Sequence, residues 1–290
     1  MRKGTDMILV TGATGKQGGA TAAALLAAGH KVRVMTRSPK GEAAMRLAKA
    51  GAEVVEGDFN DEGSLKAALK GVWGVFAVQD TWTAGVELEE EQGKRLAKLA
   101  KEAGVQHYVY TSVGSAHRNT GIPHFENKAR VEQVIRDLKF PSHVILRPVY
   151  FMENLSSPWV LPGLEEGVLN VGIPADTKLQ MVATRDIGLY AFKAFEDHQA
   201  MNGQEVEIAG DELTMPETAE ILTEALGKKI VHEPTPLDQV RSWSEDFALM
   251  LEWFEKVGYN ADIAANAKKY GIQPTTLKEW AAAVEWPVTK

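Results

Sequence analysis

The segment Met7-Ile8-Leu9-Val10-Thr11-Gly12-Ala13-Thr14-Gly15-Lys16-Gln17-Gly18-Gly19 reads as a short apolar strand, a glycine turn and the start of an alanine-rich helix. Each glycine answers a steric demand. Gly12 allows a tight turn off the strand, Gly15 lets backbone approach a phosphate with no Cβ in the way, and Gly18 lets the helix pack close to the strand. The free N–H groups at that helix start, together with the positive end of the helix dipole, suit an anion. In this strand-to-helix context the turn points to the pyrophosphate of a dinucleotide, with Thr14, Lys16 and Gln17 as further candidate contacts.

Outward from the turn, strand-like runs at Met7–Thr11, Lys31–Thr36, Ala52–Glu56, Gly74–Val78, His107–Thr111 and His143–Arg147 alternate with helical stretches. Those stretches are Gly18–Ala28, Gly41–Ala50, Asp61–Leu69, Leu88–Ala103 and Phe125–Leu138. In the fourth, Leu88, Leu96, Leu99 and Ala103 keep a helical spacing. The run Trp73–Val78 is apolar on both faces, as strands are when helices cover a parallel sheet on each side. The alternation predicts an α/β fold: a Rossmann-type doubly wound parallel sheet.

After Val149 the rhythm breaks, with Pro158, Pro162, Gly163, Gly167, Gly172 and Pro174 close together. Residues 1–150 are therefore expected to form an NAD(P)-binding domain and 151–290 a smaller, mixed C-terminal substrate lobe. A segment near 181–210, with the strand-like Glu205–Ala209, is expected to return to the sheet. Trp243, Phe247, Met250 and Phe254 fall at i, i+4, i+7 and i+11, which predicts one helix with an apolar stripe facing the core or a second subunit. A substrate lid is the alternative reading of that helix.

The second strand speaks to the choice of dinucleotide. An NAD site carries Asp or Glu about 20 residues beyond the glycines, for the ribose 2′-hydroxyl. Here Thr36-Arg37-Ser38-Pro39-Lys40 stands instead, and Arg37 can pair with a 2′-phosphate with help from Ser38 and Lys40. NADP(H) is thus expected in preference to NAD(H). Asp58 and Phe59, just past the third strand, suit the amino edge and the face of adenine.

Composition excludes several other functions. The chain has 290 residues, 44% hydrophobic and 24% charged, which is ordinary for a soluble globular protein. A net charge of −7 with no dense Lys/Arg face argues against nucleic-acid binding. There is no cysteine, so thiolate chemistry and disulfides are excluded. The seven histidines show no metal-binding spacing, and no metal is expected. No GxSxG elbow or P-loop is present. No run approaches the ~18 apolar residues of a membrane span. Met1-Arg2-Lys3 could open a signal peptide, but the apolar run Met7–Val10 is too short for one, so a cytoplasmic location is expected. The polar tail Met1–Asp6 is expected to fray.

These segments resemble the short-chain dehydrogenase/reductase superfamily, and more closely its atypical NmrA-like branch. The resemblance rests on Thr11–Gly19, Thr36–Pro39, Gly51–Asp58, Gln92-Gly93-Lys94, His124-Phe125-Glu126-Asn127-Lys128 and Arg147–Leu155, and more loosely on Ala183–Gly188. It implies NADP(H) along the C-terminal edge of the sheet, with further contacts from Gln79, Asp80, Lys94, Lys128 and the segment Phe151 to Asn154.

Ordinary members of that superfamily use a Tyr with a Lys four residues later, the Tyr hydroxyl serving as acid. Here the residues four beyond Tyr108, Tyr110, Tyr150, Tyr190, Tyr259 and Tyr270 are Ser112, Gly114, Asn154, Ala194, Ile263 and Pro274, so the pair is absent. Lys128 stands at the superfamily's Lys position and His124 at that of the Tyr. Imidazole titrates near neutrality and is a candidate acid. Ser112, ending the fifth strand, stands where relatives place a substrate-binding serine. Phe151, Met152 and Trp82 are candidate walls of the pocket. A conjugated acceptor needs little protonic help, because the nicotinamide carries the hydride chemistry.

The expectation is an NADP(H)-binding oxidoreductase reducing a quinone or conjugated carbonyl by hydride transfer. The alternative is a non-catalytic NADP(H) redox sensor that regulates a protein partner. A nucleotide-sugar epimerase or dehydratase is disfavoured by the missing Tyr. The partner is then a small-molecule acceptor or a regulated protein, with no nucleic acid and no membrane, and a homodimer stays open.

Overall fold

In the computed structural model, which describes residues 5–287, Ile8, Leu9 and Val10 of the opening strand are fully buried inside a seven-stranded sheet. Residues 1–4 of the tail expected to fray lie outside the described residues. The first half alternates β1 (Met7–Val10), α1 (Lys16–Ala27), β2 (Lys31–Thr36), α2 (Glu42–Lys49), β3 (Glu53–Glu56), α3 (Glu62–Leu69), β4 (Val72–Ala77), α4 (Thr81–Ala84), α5 (Val86–Glu102), β5 (His107–Thr111), α6 (Pro123–Leu138) and β6 (Ser142–Pro148). The second half runs β7 (Tyr150–Phe151), α7 (Leu161–Glu166), β8 (Val168–Leu169), β9 (Lys178–Val182), α8 (Thr184–Glu196), β10 (Glu205–Ile208), β11 (Asp211–Thr214), α9 (Met215–Leu226), β12 (Val231–His232), α10 (Leu237–Trp243), α11 (Glu245–Lys256), α12 (Ile263–Tyr270) and α13 (Leu277–Ala283).

The central sheet has the order β10-β6-β5-β4-β1-β2-β3, and every pairing in it is parallel. The chain builds outward from β1 through β2 to β3, then returns to the other side of β1 as β4. The order reverses there, which opens a crevice beyond the C-terminal ends of β1 and β4 where ligands of such sheets bind. Leu65 and Leu69 of α3, Leu96 and Ala100 of α5 and Ile135 of α6 pack one face. Ala22 and Leu25 of α1 with Ile187 and Ala191 of α8 pack the other. This doubly wound arrangement is why the strands are apolar on both sides.

A smaller mixed sheet, β11-β9-β7, joins an antiparallel and a parallel pair, and β8 pairs with β12. With α9, α11 and α13 these elements enclose a separate apolar core that includes Leu179, Met181, Leu222, Leu251 and Trp280. Two connections run back to the first half. α8 crosses α1 so closely that a Cβ on Gly188 would lie 2.7 Å from the Ala20 carbonyl. β10 adds to β6, where the buried Arg147 pairs with Glu132 and Glu205.

The stripe read as one helix is two. Ser244 leaves the helical conformation at φ −157° and its hydroxyl accepts from the Phe247 N–H, so α10 ends and α11 begins there. Phe254 and Met250 are buried in α11, whereas Trp243 is left exposed on α10. Serine competes for backbone donors, and as an N-cap it overrides the apolar spacing. Among the described residues no helix is long and apolar enough to cross a membrane.

Candidate functional site

The glycine turn has the shape its sequence demands. Gly12 sits at φ +58°, and a Cβ there would lie 2.5 Å from Val78 Cγ1. The Gly15 N–H donates to the Gly12 carbonyl at 2.9 Å, closing the turn. A Cβ on Gly18 would stand 2.4 Å from the carbonyl oxygens of both Thr11 and Gly12, so α1 begins hard against the end of β1. The N-cap Gly15 has no side chain to offer and the first turn holds no acidic residue. By contrast, Asp61, Thr214, Ser244, Asp262 and Thr276 cap α3, α9, α11, α12 and α13. The donors of α1 thus open beside the exposed Thr14, Gly15 and Lys16. This cradle, which a Cβ would fill, fits a dinucleotide pyrophosphate.

Side chains from three strand ends, and the main chain after a fourth, converge around it. The Thr11 hydroxyl accepts from the Val78 N–H at 2.9 Å and ties the end of β1 to that of β4. Next to Val78, Gln79 is buried, and neither its amide nitrogen nor its oxygen has a partner. Gly93 leaves room for it, since a Cβ there would come 3.2 Å from Gln79 Oε1. The Thr111 hydroxyl donates to Gln17 Oε1 at 2.6 Å, and the neighbouring Ser112 hydroxyl is buried without a partner. Lys16 Nζ donates to the Glu153 carbonyl at 3.3 Å, joining the turn to the segment after β7. A buried polar group left unpaired costs ~1–3 kcal/mol, so Gln79 and Ser112 favour a polar ligand in the crevice.

At the outer end, Arg37 is exposed beyond β2, and the Ser38 N–H donates to the Thr36 hydroxyl at 3.1 Å. Asp58 accepts from the Asn60 N–H at 2.8 Å, so its carboxylate shapes its own turn. Phe59 is half-buried, and its carbonyl accepts from Arg95. Asp80 caps α4, accepting from the Trp82 N–H at 3.0 Å and the Thr83 hydroxyl at 2.6 Å. Lys94 pairs with Glu90, which also holds Arg130. Phe151 is half-buried on β7 and Asn154 lies in the following turn. There the Glu153 carboxylate accepts from the Thr184 N–H at 2.9 Å and hydroxyl at 2.7 Å, capping α8.

Lys128 is held from below. Its ammonium meets Glu89 of α5, whose side chain is only 2% exposed. The other oxygen of Glu89 accepts from Asn127 Nδ2 at 2.8 Å and from the Thr81 hydroxyl. Burial pushes the Glu89 carboxyl up, but the Lys128 charge and these donors outweigh it and hold it below the usual carboxylate range. Lys128 is therefore fixed at the end of a satisfied polar network rather than loose in solvent. His124, one turn earlier on α6, touches Asp246 of α11 through Nδ1, with the Trp82 ring 5.3 Å away.

Two of these partners escaped the sequence reading. Glu89 lies in the acidic run Glu87–Glu91, which reads as a solvated face. Yet Glu89, Gly93, Leu96 and Ala100 recur at i, i+4, i+7 and i+11 and are all buried, so the spacing carried the signal. Asp246 gave no signal, since it arrives from 122 residues further along the chain.

A model of the NmrA-like family matches residues 4–281. The NmrA-like family domain-containing oxidoreductase FrzB of Cladobotryum sp is 30% identical over 310 residues, covering 91% of each chain. The (4-alkanoyl-5-oxo-2,5-dihydrofuran-3-yl)methyl phosphate reductase of Streptomyces griseus is 32% identical, over 81% of this chain and 79% of that protein. Among solved structures, the NADPH-dependent quinone oxidoreductase QOR2 of Escherichia coli, complexed with NADPH, superposes with a TM-score of 0.81. It is 25% identical, covering 95% of this chain and 99% of that one.

Proposed function

The chain belongs to the NmrA-like family, and from that premise we propose that it is an NADP(H)-dependent oxidoreductase reducing a quinone or a conjugated carbonyl compound. The observation that carries this reading is the uncapped start of α1 at the switch point of the sheet, bordered by the unpaired Gln79 and Ser112. The exposed Arg37, with no acidic residue ending β2, favours a 2′-phosphate and hence NADP(H). When bound, the reduced nicotinamide supplies the hydride. Lys128, fixed by Glu89, offers an ammonium to the cofactor ribose or to the oxygen of the acceptor. Ser112 offers a hydroxyl to that oxygen, and the exposed Trp82 ring, packed on His124 and Phe247, offers a flat wall to a planar acceptor, whereas Met152, expected as a wall, is fully buried in the C-terminal core. The NADPH-bound quinone oxidoreductase and the reductase of a conjugated lactone among the relatives support the same acceptor class.

The test is calorimetric titration with NADPH, NADP⁺ and NADH, followed by NADPH consumption against a panel of quinones, dyes and enones, repeated on Lys128→Ala. Tighter binding of NADPH than NADH, with turnover that falls in the variant, is the expected result. Tight but unequal binding of NADPH and NADP⁺ with no turnover on any acceptor would replace the reductase by a redox sensor, since differential affinity is what a sensor requires.

A further inference from the structure

We propose that Asp246, carried on α11 from the C-terminal part of the chain, is a positioning residue that fixes His124 with its proton on Nδ1. Nε2 is thereby left as the nitrogen that gives a proton to the acceptor. This rests on the reductase reading above and adds to it the source of the proton that the missing Tyr would have supplied.

The two oxygens of Asp246 do separate work. Oδ1 accepts from the main-chain N–H of His124 at 3.0 Å, and Oδ2 lies against His124 Nδ1 as an ion-pair contact, off the line of a hydrogen bond, with no other partner for either atom. A carboxylate only accepts, so the ring nitrogen facing it carries the hydrogen. The pair is shielded: the side chains of His124 and Asp246 are 8% and 17% exposed. The Trp82 and Phe125 rings pack the imidazole at 5.3 and 4.8 Å, and Trp82 also touches Phe247, the residue after Asp246.

His124 and Lys128 are at i and i+4 and so share one face of α6. The charged group in contact with the imidazole is Asp246 of α11; one turn on, Lys128 is engaged by Glu89 of α5, and Asp80 before α4 caps its own helix. The proton balance follows from this arrangement. The acceptor takes a hydride at carbon from the reduced nicotinamide dinucleotide and a proton at oxygen from Nε2 of the imidazolium. The ring is left neutral in the Nδ1–H form that Asp246 stabilises, and it regains its proton from solvent.

A purely structural role exists on the same atoms. Ile122 offers α6 no side-chain cap, and Asp246 Oδ1 supplies one from across the molecule. The variant that separates the roles is Asp246→Asn, whose amide oxygen can keep the cap while its NH₂ faces Nδ1. Long-range ¹H–¹⁵N NMR of the full-length protein, with His124→Gln to assign the signals, reads the neutral tautomer directly. The expected result is Nδ1–H in the wild type and Nε2–H in Asp246→Asn. With the variant, kcat falls by ~100-fold or more while NADPH affinity is kept, since a general acid supplies ~10²- to ~10⁴-fold. An Nε2–H ring in the wild type overturns the proposal, as does an unchanged kcat in Asp246→Asn. Wild-type protein that neither binds nor consumes NADPH would instead overturn the reductase reading, and the proton role with it.

Discussion

Replacing Gly18 by alanine sets two effects against each other. Alanine is the better helix former by about 1 kcal/mol, so propensity alone predicts a more stable protein. The added methyl carbon, however, would lie 2.4 Å from two carbonyl oxygens, at least 0.6 Å inside the 3.0 Å limit that real Cβ atoms respect. Those oxygens belong to the backbone that joins β1 to the turn, so α1 must slide outward. Overpacking of this kind costs about 1–3 kcal/mol, which leaves a net loss of stability of roughly 0–2 kcal/mol. Binding suffers more. A slide of ~0.6 Å takes a phosphate-directed N–H from ~2.9 to ~3.5 Å, outside hydrogen-bonding range. A hydrogen bond to a charged acceptor is worth about 1.5–3 kcal/mol, so the loss of one raises the Kd for NADPH by at least ~10-fold. Calorimetry gives the Kd and urea unfolding the stability. Gly19→Ala, whose Cβ would meet the Ala13 carbonyl at 3.2 Å, is the milder control. NADPH affinity in Gly18→Ala within ~2-fold of wild type would refute the placement of the pyrophosphate at α1.

Other perturbations test other parts. Arg37→Glu should weaken NADPH by ~10- to ~100-fold and leave NADH nearly unchanged, since only the former presents a 2′-phosphate; equal weakening in calorimetry would remove Arg37 from that role. Glu132→Ala strips the buried Arg147 of its bidentate partner, at 2.9 and 2.6 Å, and should cost about 3 kcal/mol in urea unfolding, with Glu132→Ala/Arg147→Met recovering part of it. His107 is lowered from 6.5 to about 3 by burial, with the nearby His198 and His143 adding to it. Its unfolded form binds a proton below pH 6.5 and its folded form does not until about pH 3, so its stabilisation is complete above pH 6.5 and lost below. The slope is about 1.4 kcal/mol per pH unit, and His107→Gln should remove it from the stability profile between pH 6.5 and 4.5.

What the sequence made legible was local. The glycine turn, six strands of the sheet and the helices between them follow from spacing within a dozen residues, because a parallel sheet under two layers of helices leaves continuous apolar runs. The α10–α11 break was missed because one serine hydroxyl outweighs four well-spaced apolar residues. α8 carries a plain helical pattern, but nothing in Thr184–Glu196 announces that Gly188 will meet Ala20. The site divides in the same way. Gln17 could be named from its neighbours in the chain, and Gln79 and Lys128 from the family resemblance. Thr111 and Glu89, which hold Gln17 and Lys128, and Asp246, which holds His124, come from other elements and depend on how those elements cross.

The two returns of the chain, α8 onto α1 and β10 onto β6, bear on how the molecule can be dissected. Cutting after residue 150 would not release an intact cofactor unit. It would strip β6 of its outer neighbour, leaving a bare strand edge open to self-association, and would uncover the flank of α1. A shortened version that keeps β6 covered would have to carry residues through 208, the end of the strand that returns to the sheet.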